Sequence, residues 1–256
     1  MPIDPNSDQV EMLLRSFRLS TMAALYEPSL LRVENDGWGA REVLDHLCRS
    51  EAADREQRRI ARLLSNAKLP EGKTLGNLDE ALLPVKVRSQ LPGLLDGGFV
   101  GRASNVIAFG LPGRGKTHFL AALGRELILR HQISVLFCPT FKLVARLLAA
   151  KRDYRMEGEL KKLDRYQVVI LDDLGYVQQS REEMEVLFTF LAERYERRSV
   201  MISSNLVFSQ WEQIFKDPMT TMAAVDRLVH HSVILEFTGK SLRIQSGAQG
   251  GSEDEK

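Results

Sequence analysis

The stretch GLPGRGKT at residues 110–117 constrains this chain more than any other feature. It has the form G-x-x-x-x-G-K-[ST], a loop that works only between a strand and a helix. Gly110, Gly113 and Gly115 let backbone N–H groups close around phosphates without side-chain interference. In such a loop Lys116 reaches the β- and γ-phosphates, and the Thr117 hydroxyl is a ligand for Mg²⁺. The expected nucleotide contacts run through Gly110, Leu111, Pro112, Gly113, Arg114, Gly115, Lys116, Thr117 and His118. The apolar run NVIAFG precedes the loop and a helical pattern over 116–131 follows it, so the context is the required one. A nucleoside triphosphate with Mg²⁺ is the expected ligand pair. Kinases, GTPases, transporters and motors all use this loop, so it does not by itself choose a reaction.

From residue 104 the pattern alternates. NVIAFG, SVLFCP, QVVILDD, SVMISSN and SVILEFTG read as strands, separated by helical stretches. Such alternation means an α/β fold, a parallel sheet flanked by helices. The stretch from Thr140 to Tyr166 reads as two helices broken near Gly158, and Ser180 with Glu183 forms a capping box before a third. A second box is read at Ser209 and Glu212, and Pro218 suits the first turn of another helix. The first part of the chain is helical instead. Met12, Leu13, Phe17, Leu19, Met22, Leu25 and Tyr26 recur at helical spacing, and a second stripe runs from Val43 to Leu64. The expected domains are a small all-helical N-terminal domain over 1–69, a linker with short helices over 70–103, an ATPase core over 104–245 and a disordered tail over 246–256.

The strand VVILDD delivers Asp172 and Asp173 to its C-terminal end, where open parallel sheets bind ligands. Asp172 is expected to orient Mg²⁺, and Asp173 to act as base for an attacking water. A strand-end acid pair can also be a cap or a turn, and the phosphate loop upstream is what favours the chemical reading. Asn205, closing SVMISSN, is expected to position the water or sense the γ-phosphate, against the plainer reading of a turn residue. Arg227 is a candidate arginine finger toward a neighbouring subunit, against the alternative of a surface pair with Asp226. Two acids in a row suit a hydrolase. A small-molecule kinase would leave Asp173, Asn205 and Arg227 unexplained.

Together these residues resemble an AAA+ ATPase of the initiator and helicase-loader group, and the chain is similar over nearly its whole length to the IstB family of transposition helper ATPases. FRLSTMAALYE, REQRRIARLLSNAKLP, GLPGRGKTHFLAALG, LDDLGY, SSNLVFSQWEQIF and DRLVHHSVILEFTGKSLR carry the resemblance, in that order. It implies an AAA+ core, ATP-dependent self-association into a ring or spiral on duplex DNA, and cooperation with a transposase in selecting or remodelling target DNA. Lys116, Thr117, Asp172, Asp173, Asn205 and Arg227 fall on the family's motif positions. Helicase loaders of the DnaC type share the core and are the alternative reading. The second acid is Asp173 where AAA+ proteins in general carry Glu, one methylene longer, which implies slower hydrolysis. Only GKSLRIQ and the tail follow the last strand, so no C-terminal lid domain is expected.

Charge does not announce a DNA partner, because 35 Lys and Arg nearly balance 34 Asp and Glu. Basic residues must segregate locally to bind phosphates. Lys151, Arg152 and Arg155, with Lys161 and Lys162 nearby, form one such cluster in a crossover longer than the minimum. Arg55, Arg58, Arg59 and Arg62 form another at i, i+3, i+4, i+7 along a helix, though a solvated face, a subunit contact or a transposase contact fits that spacing equally. Binding through such residues would be largely independent of sequence. Two distant cysteines, a polar start and no apolar run of about 20 residues lead to the expectation of a cytoplasmic protein without a membrane partner.

Overall fold

The computed structural model describes residues 5–175, 180–206 and 228–238. The chain divides into two compact units, Met1–Arg62 and Leu63–Lys256.

The first unit contains α1 (Pro5–Ser16), α2 (Ser20–Asp36) and most of α3 (Ala40–Ala67). The apolar spacing that runs on from Met12 to Tyr26 is interrupted at Arg18, whose φ is 60°. The N–H of Arg18 bonds to the carbonyl of Arg15, and that of Leu19 to Leu14, which closes α1 with a left-handed turn. The residue before α2, Leu19, provides no side-chain cap. The cap comes from α3 instead. The buried Glu51 carboxylate accepts the N–H of Thr21 at 2.8 Å and of Met22 at 3.1 Å. Asp54 accepts the Thr21 hydroxyl at 2.7 Å. A carboxylate at a helix N-terminus satisfies orphan N–H groups and complements the positive end of the dipole. Burial works to raise the Glu51 pKa, but the Met22 N–H, the Arg55 guanidinium and the Thr21 N–H outweigh it, and the net shift is downward. Met12, Leu13 and Phe17 remain exposed, although their spacing marks an apolar face.

The second unit is built on a five-stranded sheet in the order β2-β3-β4-β1-β5, with every pairing parallel. The strands are β1 (Asn105–Phe109), β2 (Val135–Pro139), β3 (Val168–Leu174), β4 (Ser199–Ser204) and β5 (Ser232–Glu236). Val106 to Ala108 and Val168 to Leu171 are fully buried, as strands covered on both faces must be. The segment 70–103 lies in this unit. It forms α4 (Val85–Leu95) and the single turn α5 (Gly98–Gly101), and Val87, Leu91, Leu94 and Phe99 are buried. Helix α6 (Lys116–His131) follows β1, and α7 (Thr140–Arg152) and α8 (Met156–Asp164) follow β2. Helix α9 (Arg181–Arg194) starts at the capping box read from Ser180 and Glu183.

One break falls elsewhere than expected. Helices α7 and α8 part at 153–155, and Gly158 sits inside α8. Tyr154 adopts φ 55°, its N–H bonds to Lys151 and the Arg155 N–H bonds to Ala150, so the last turn of α7 is closed by its own carbonyls. Closure of that kind ends a helix more firmly than one exposed glycine does.

Arg194 ties the base of the sheet together. It is 2% exposed and donates to the carbonyls of Leu163, Tyr166, Gln167 and Ser199. Burial lowers its pKa to about 10, so it keeps its charge near neutral pH.

The capping arrangement predicts a pH response. Because the Glu51 pKa is lowered in the fold, its contribution is present above the ordinary value of 4.5 and is lost as pH falls through the folded value. Glu51→Gln should cost about 1–2 kcal/mol at neutral pH and remove this acid sensitivity. Amide hydrogen exchange at Thr21 and Met22 in the full chain checks it, and unchanged protection would remove Glu51 as the cap.

Candidate nucleotide site

The sheet order places β1 between β4 and β5, and β4 between β1 and β3. The chain therefore leaves β1, β4 and β3 at neighbouring points along one edge. These exits carry residues 110–117, Asn205, and Asp172 with Asp173.

The loop is shaped by its glycines. Gly110, Gly113 and Gly115 have φ of 143°, 79° and 86°, which L side chains rarely adopt. Gly110 is also pressed against Phe237, which follows β5. Its N–H bonds to the Ser204 carbonyl at 3.2 Å, and a Cβ there would collide with the carbonyl oxygen of Phe237. Helix α6 begins at Gly115 with no side-chain cap, and its first intrahelical bond is from the N–H of Phe119 to the carbonyl of Gly115. The N–H groups of its first turn point away from the helix's own carbonyls, as at any helix N-terminus, which suits an anion.

Lys116 is 5% exposed. Its ammonium donates to the carbonyls of Gly110 at 2.7 Å and Leu111 at 2.9 Å, and to Asn205 Oδ1 at 2.8 Å. The structure so brings together two residues that lie 89 positions apart. Asp172 and Asp173 are joined to the same point through β4. The Ser203 hydroxyl donates to Asp172 Oδ1 at 2.6 Å and accepts the Asp173 N–H at 2.8 Å. Asp173 has φ 58° and is exposed, and the register of β3 on β4 shifts between Leu171 and Leu174. Thr140 donates its hydroxyl to the Asp172 carbonyl at 2.8 Å, and Ser204 donates to that of Leu174 at 2.9 Å. The acid pair is therefore held by hydroxyls on both sides.

Sequence alone does not single out Ser203. Its signal is a hydroxyl inside an apolar strand, which has to find a partner. The Arg114 guanidinium donates to the Phe237 carbonyl at 3.3 Å, and the His118 ring meets the Thr74 carbonyl at 2.9 Å. Arg227 lies outside the described residues, as do Ser209, Glu212, Pro218 and the tail.

The two basic clusters differ. Arg55 bonds to Glu51 and to the Arg18 carbonyl, and Arg58 to Asp54 and Glu51. Arg59 and Arg62 are exposed. At the turn between α7 and α8, Lys151 pairs with Glu185 at 2.8 Å, whereas Arg152 and Arg155 are exposed and form no ion pair among the described residues. Lys161 and Lys162 pair with Glu157 and Glu159. No described helix is long and apolar enough to cross a membrane.

The family model described as IstB-like ATP binding protein matches residues 12–250. The chain belongs to this family. An insertion sequence ATP-binding protein of Sinorhizobium fredii is 39% identical over 239 residues, 93% of this chain and 80% of that one. The ATP-binding protein of the insertion sequence IS21 in Pseudomonas aeruginosa is 36% identical over 247 residues, 95% of this chain and 91% of that one. Among solved structures, the DnaC helicase loader is 19% identical with a TM-score of 0.53, covering 60% of this chain and 89% of that one. The replication initiator DnaA bound to AMPPCP and single-stranded DNA is 15% identical with a TM-score of 0.57, covering 72% of this chain and 56% of that one. The core thus shares the fold of these two proteins, and the chain belongs to a family described as ATP binding.

Gly110→Ala tests the loop. The new methyl meets backbone rather than a movable side chain, and the residue must hold a φ that alanine avoids. We expect ATP affinity to fall by more than about tenfold, equivalent to ~1.4 kcal/mol, measured with a fluorescent ATP analogue. Binding at the wild-type level would mean that the loop relaxes away from Phe237.

Proposed function

We propose that the chain is an ATPase that assembles on duplex DNA, binds it largely without sequence preference, and helps a transposase select or remodel target DNA. The observation that carries this reading is the convergence of Lys116, Asn205, Asp172 and Asp173 on neighbouring strand ends, in a family that binds ATP. The family's association with insertion sequences supports the transposase as partner.

In this reading the first-turn N–H groups of α6 and the Lys116 ammonium hold the phosphates, and Thr117 and Asp172 hold Mg²⁺. The ion would draw charge from the β- and γ-phosphate oxygens. Asp172 is suited to this because Ser203 fixes one of its oxygens. Asp173 takes a proton from a water as that water forms a bond to the γ-phosphorus and the bond to the bridging oxygen breaks, giving ADP and phosphate. Ser203 accepts the Asp173 N–H and so helps hold that residue's backbone in its left-handed turn. Asn205 orients the water or reads the γ-phosphate. Arg227 is assigned by its sequence position to the site of an adjacent subunit.

Two outcomes test the reading. Asp173→Asn should keep ATP and DNA binding while turnover falls about 100-fold or more, because an amide cannot take the proton. Hydrolysis at the wild-type rate in a phosphate-release assay would remove Asp173 from the role of base. Replacing Lys151, Arg152 and Arg155 by Ala should weaken every duplex about equally. It should also flatten the slope of log affinity against log salt by up to roughly one unit for each phosphate that is no longer neutralised. Fluorescence anisotropy across a salt series measures both, and an unchanged slope would move the DNA surface away from the turn between α7 and α8.

A further inference from the structure

The tip between α7 and α8 carries an aromatic residue where neither packing nor backbone geometry calls for one. Tyr154 is 98% exposed, the highest value among the described large apolar side chains. A tyrosine ring that gives up all burial forfeits the main stabilisation such residues provide. Its backbone is left-handed at φ 55°, in a turn closed by the N–H bonds of Tyr154 to Lys151 and of Arg155 to Ala150. That position at the end of a helix favours glycine, because a Cβ crowds the neighbouring carbonyl. The other described non-glycine residues with positive φ are Arg18, Lys68, Ala103, Gln132, Asp173 and Glu196, so Tyr154 is the one aromatic among them.

The surroundings of the ring indicate what it meets. Arg152 and Arg155 flank it in sequence, both exposed and neither in an ion pair among the described residues. Lys151 lies one turn back but is already paired with Glu185. Asp153 lies between the cations and lowers the local charge without cancelling it. An exposed ring with exposed arginines two positions before it and one after it matches a nucleobase flanked by phosphates. An apolar protein pocket would be poorly matched by the flanking charges.

We infer that Tyr154 is a base-stacking residue, a ring that enters duplex DNA at an opened step while Arg152 and Arg155 hold the phosphates on either side. The inference rests on the proposed DNA binding and adds to it a contact that phosphate-binding cations cannot make. Stacking leaves the number of neutralised phosphates unchanged, so it adds affinity without adding to the salt slope. Side chains that wedge between base pairs also unstack the step.

The test uses the full chain and a duplex carrying 2-aminopurine, whose fluorescence reports stacking. Tyr154→Ala should lower affinity about tenfold or more, leave the salt slope unchanged and abolish the fluorescence change that wild type produces. Tyr154→Phe should retain both, because stacking uses the ring and not the hydroxyl. Tyr154→Gly suits the left-handed turn, so its thermal midpoint should equal or exceed that of wild type while its DNA affinity falls as in Tyr154→Ala. That pairing separates a contact residue from a structural one. The inference is overturned if Tyr154→Ala binds the duplex with wild-type affinity and fluorescence. Loss of self-association with DNA binding intact would likewise overturn it and make the tip a subunit contact. If wild type binds no DNA at all, the proposed function fails first and this inference fails with it.

Discussion

A buried ammonium requires oxygen atoms around it, and the candidate nucleotide site follows from how Lys116 obtains them. Leaving such a charge unpaired in a site of low dielectric would cost several kcal/mol. Among the described residues, three acceptors meet the ammonium itself: the carbonyls of Gly110 and Leu111 and the side chain of Asn205. Two of them are backbone groups of a loop whose glycines take conformations that other residues rarely adopt. The third sits at the exit of β4 and is available only because β4 lies beside β1. Loop path, strand order and the choice of Asn at position 205 are thus parts of one requirement. In the proposed function, a phosphate oxygen arriving at the loop would compete for the same ammonium and exchange with Asn205.

The acid pair depends on a similar economy of hydroxyls. β3 cannot run straight to its end, since Asp173 is left-handed and the register slips before Leu174. A kink of this kind exposes backbone groups that need partners. Ser203 accepts one of them and uses its own proton on Asp172, while Thr140 and Ser204 donate to the carbonyls of Asp172 and Leu174. Three small hydroxyl residues in an otherwise apolar interior therefore fix the Asp172 carboxylate and the backbone of the kinked strand end that carries Asp173.

Most of this architecture is legible in the residues. Buried parallel strands read as apolar runs, and the glycine loop, the acid pair and the capping box at Ser180 each carry a local pattern that survives folding. What is not legible comes from partners distant in sequence. Nothing near Leu19 indicates that the cap of α2 is Glu51, some thirty positions on. Nothing near Gln167 indicates that its carbonyl is held by Arg194. Glycine is a weak helix former, which points to Gly158 as the break after α7, whereas a left-handed tyrosine closes the turn. Propensity ranks residue types, and the hydrogen bonds that close a turn can override the rank.

The two arginine-rich stretches show why a row of like charges in sequence is not yet a charged surface. On α3, four arginines share a face, but Glu51 is there to cap α2 and Asp54 to bind Thr21. Those same carboxylates engage Arg55 and Arg58, so part of the positive face is neutralised by groups present for a structural reason. The turn after α7 has fewer cations, and only Lys151 of its three has an acidic partner among the described residues. Its helix end closes through backbone bonds alone, and no carboxylate is needed to finish it. A helix that ends on its own carbonyls leaves its last arginines for solvent or a ligand, whereas one that serves as scaffold for a neighbour loses some of them to the acids the scaffold requires. By that difference the smaller cluster offers more unneutralised charge per residue to a phosphate backbone.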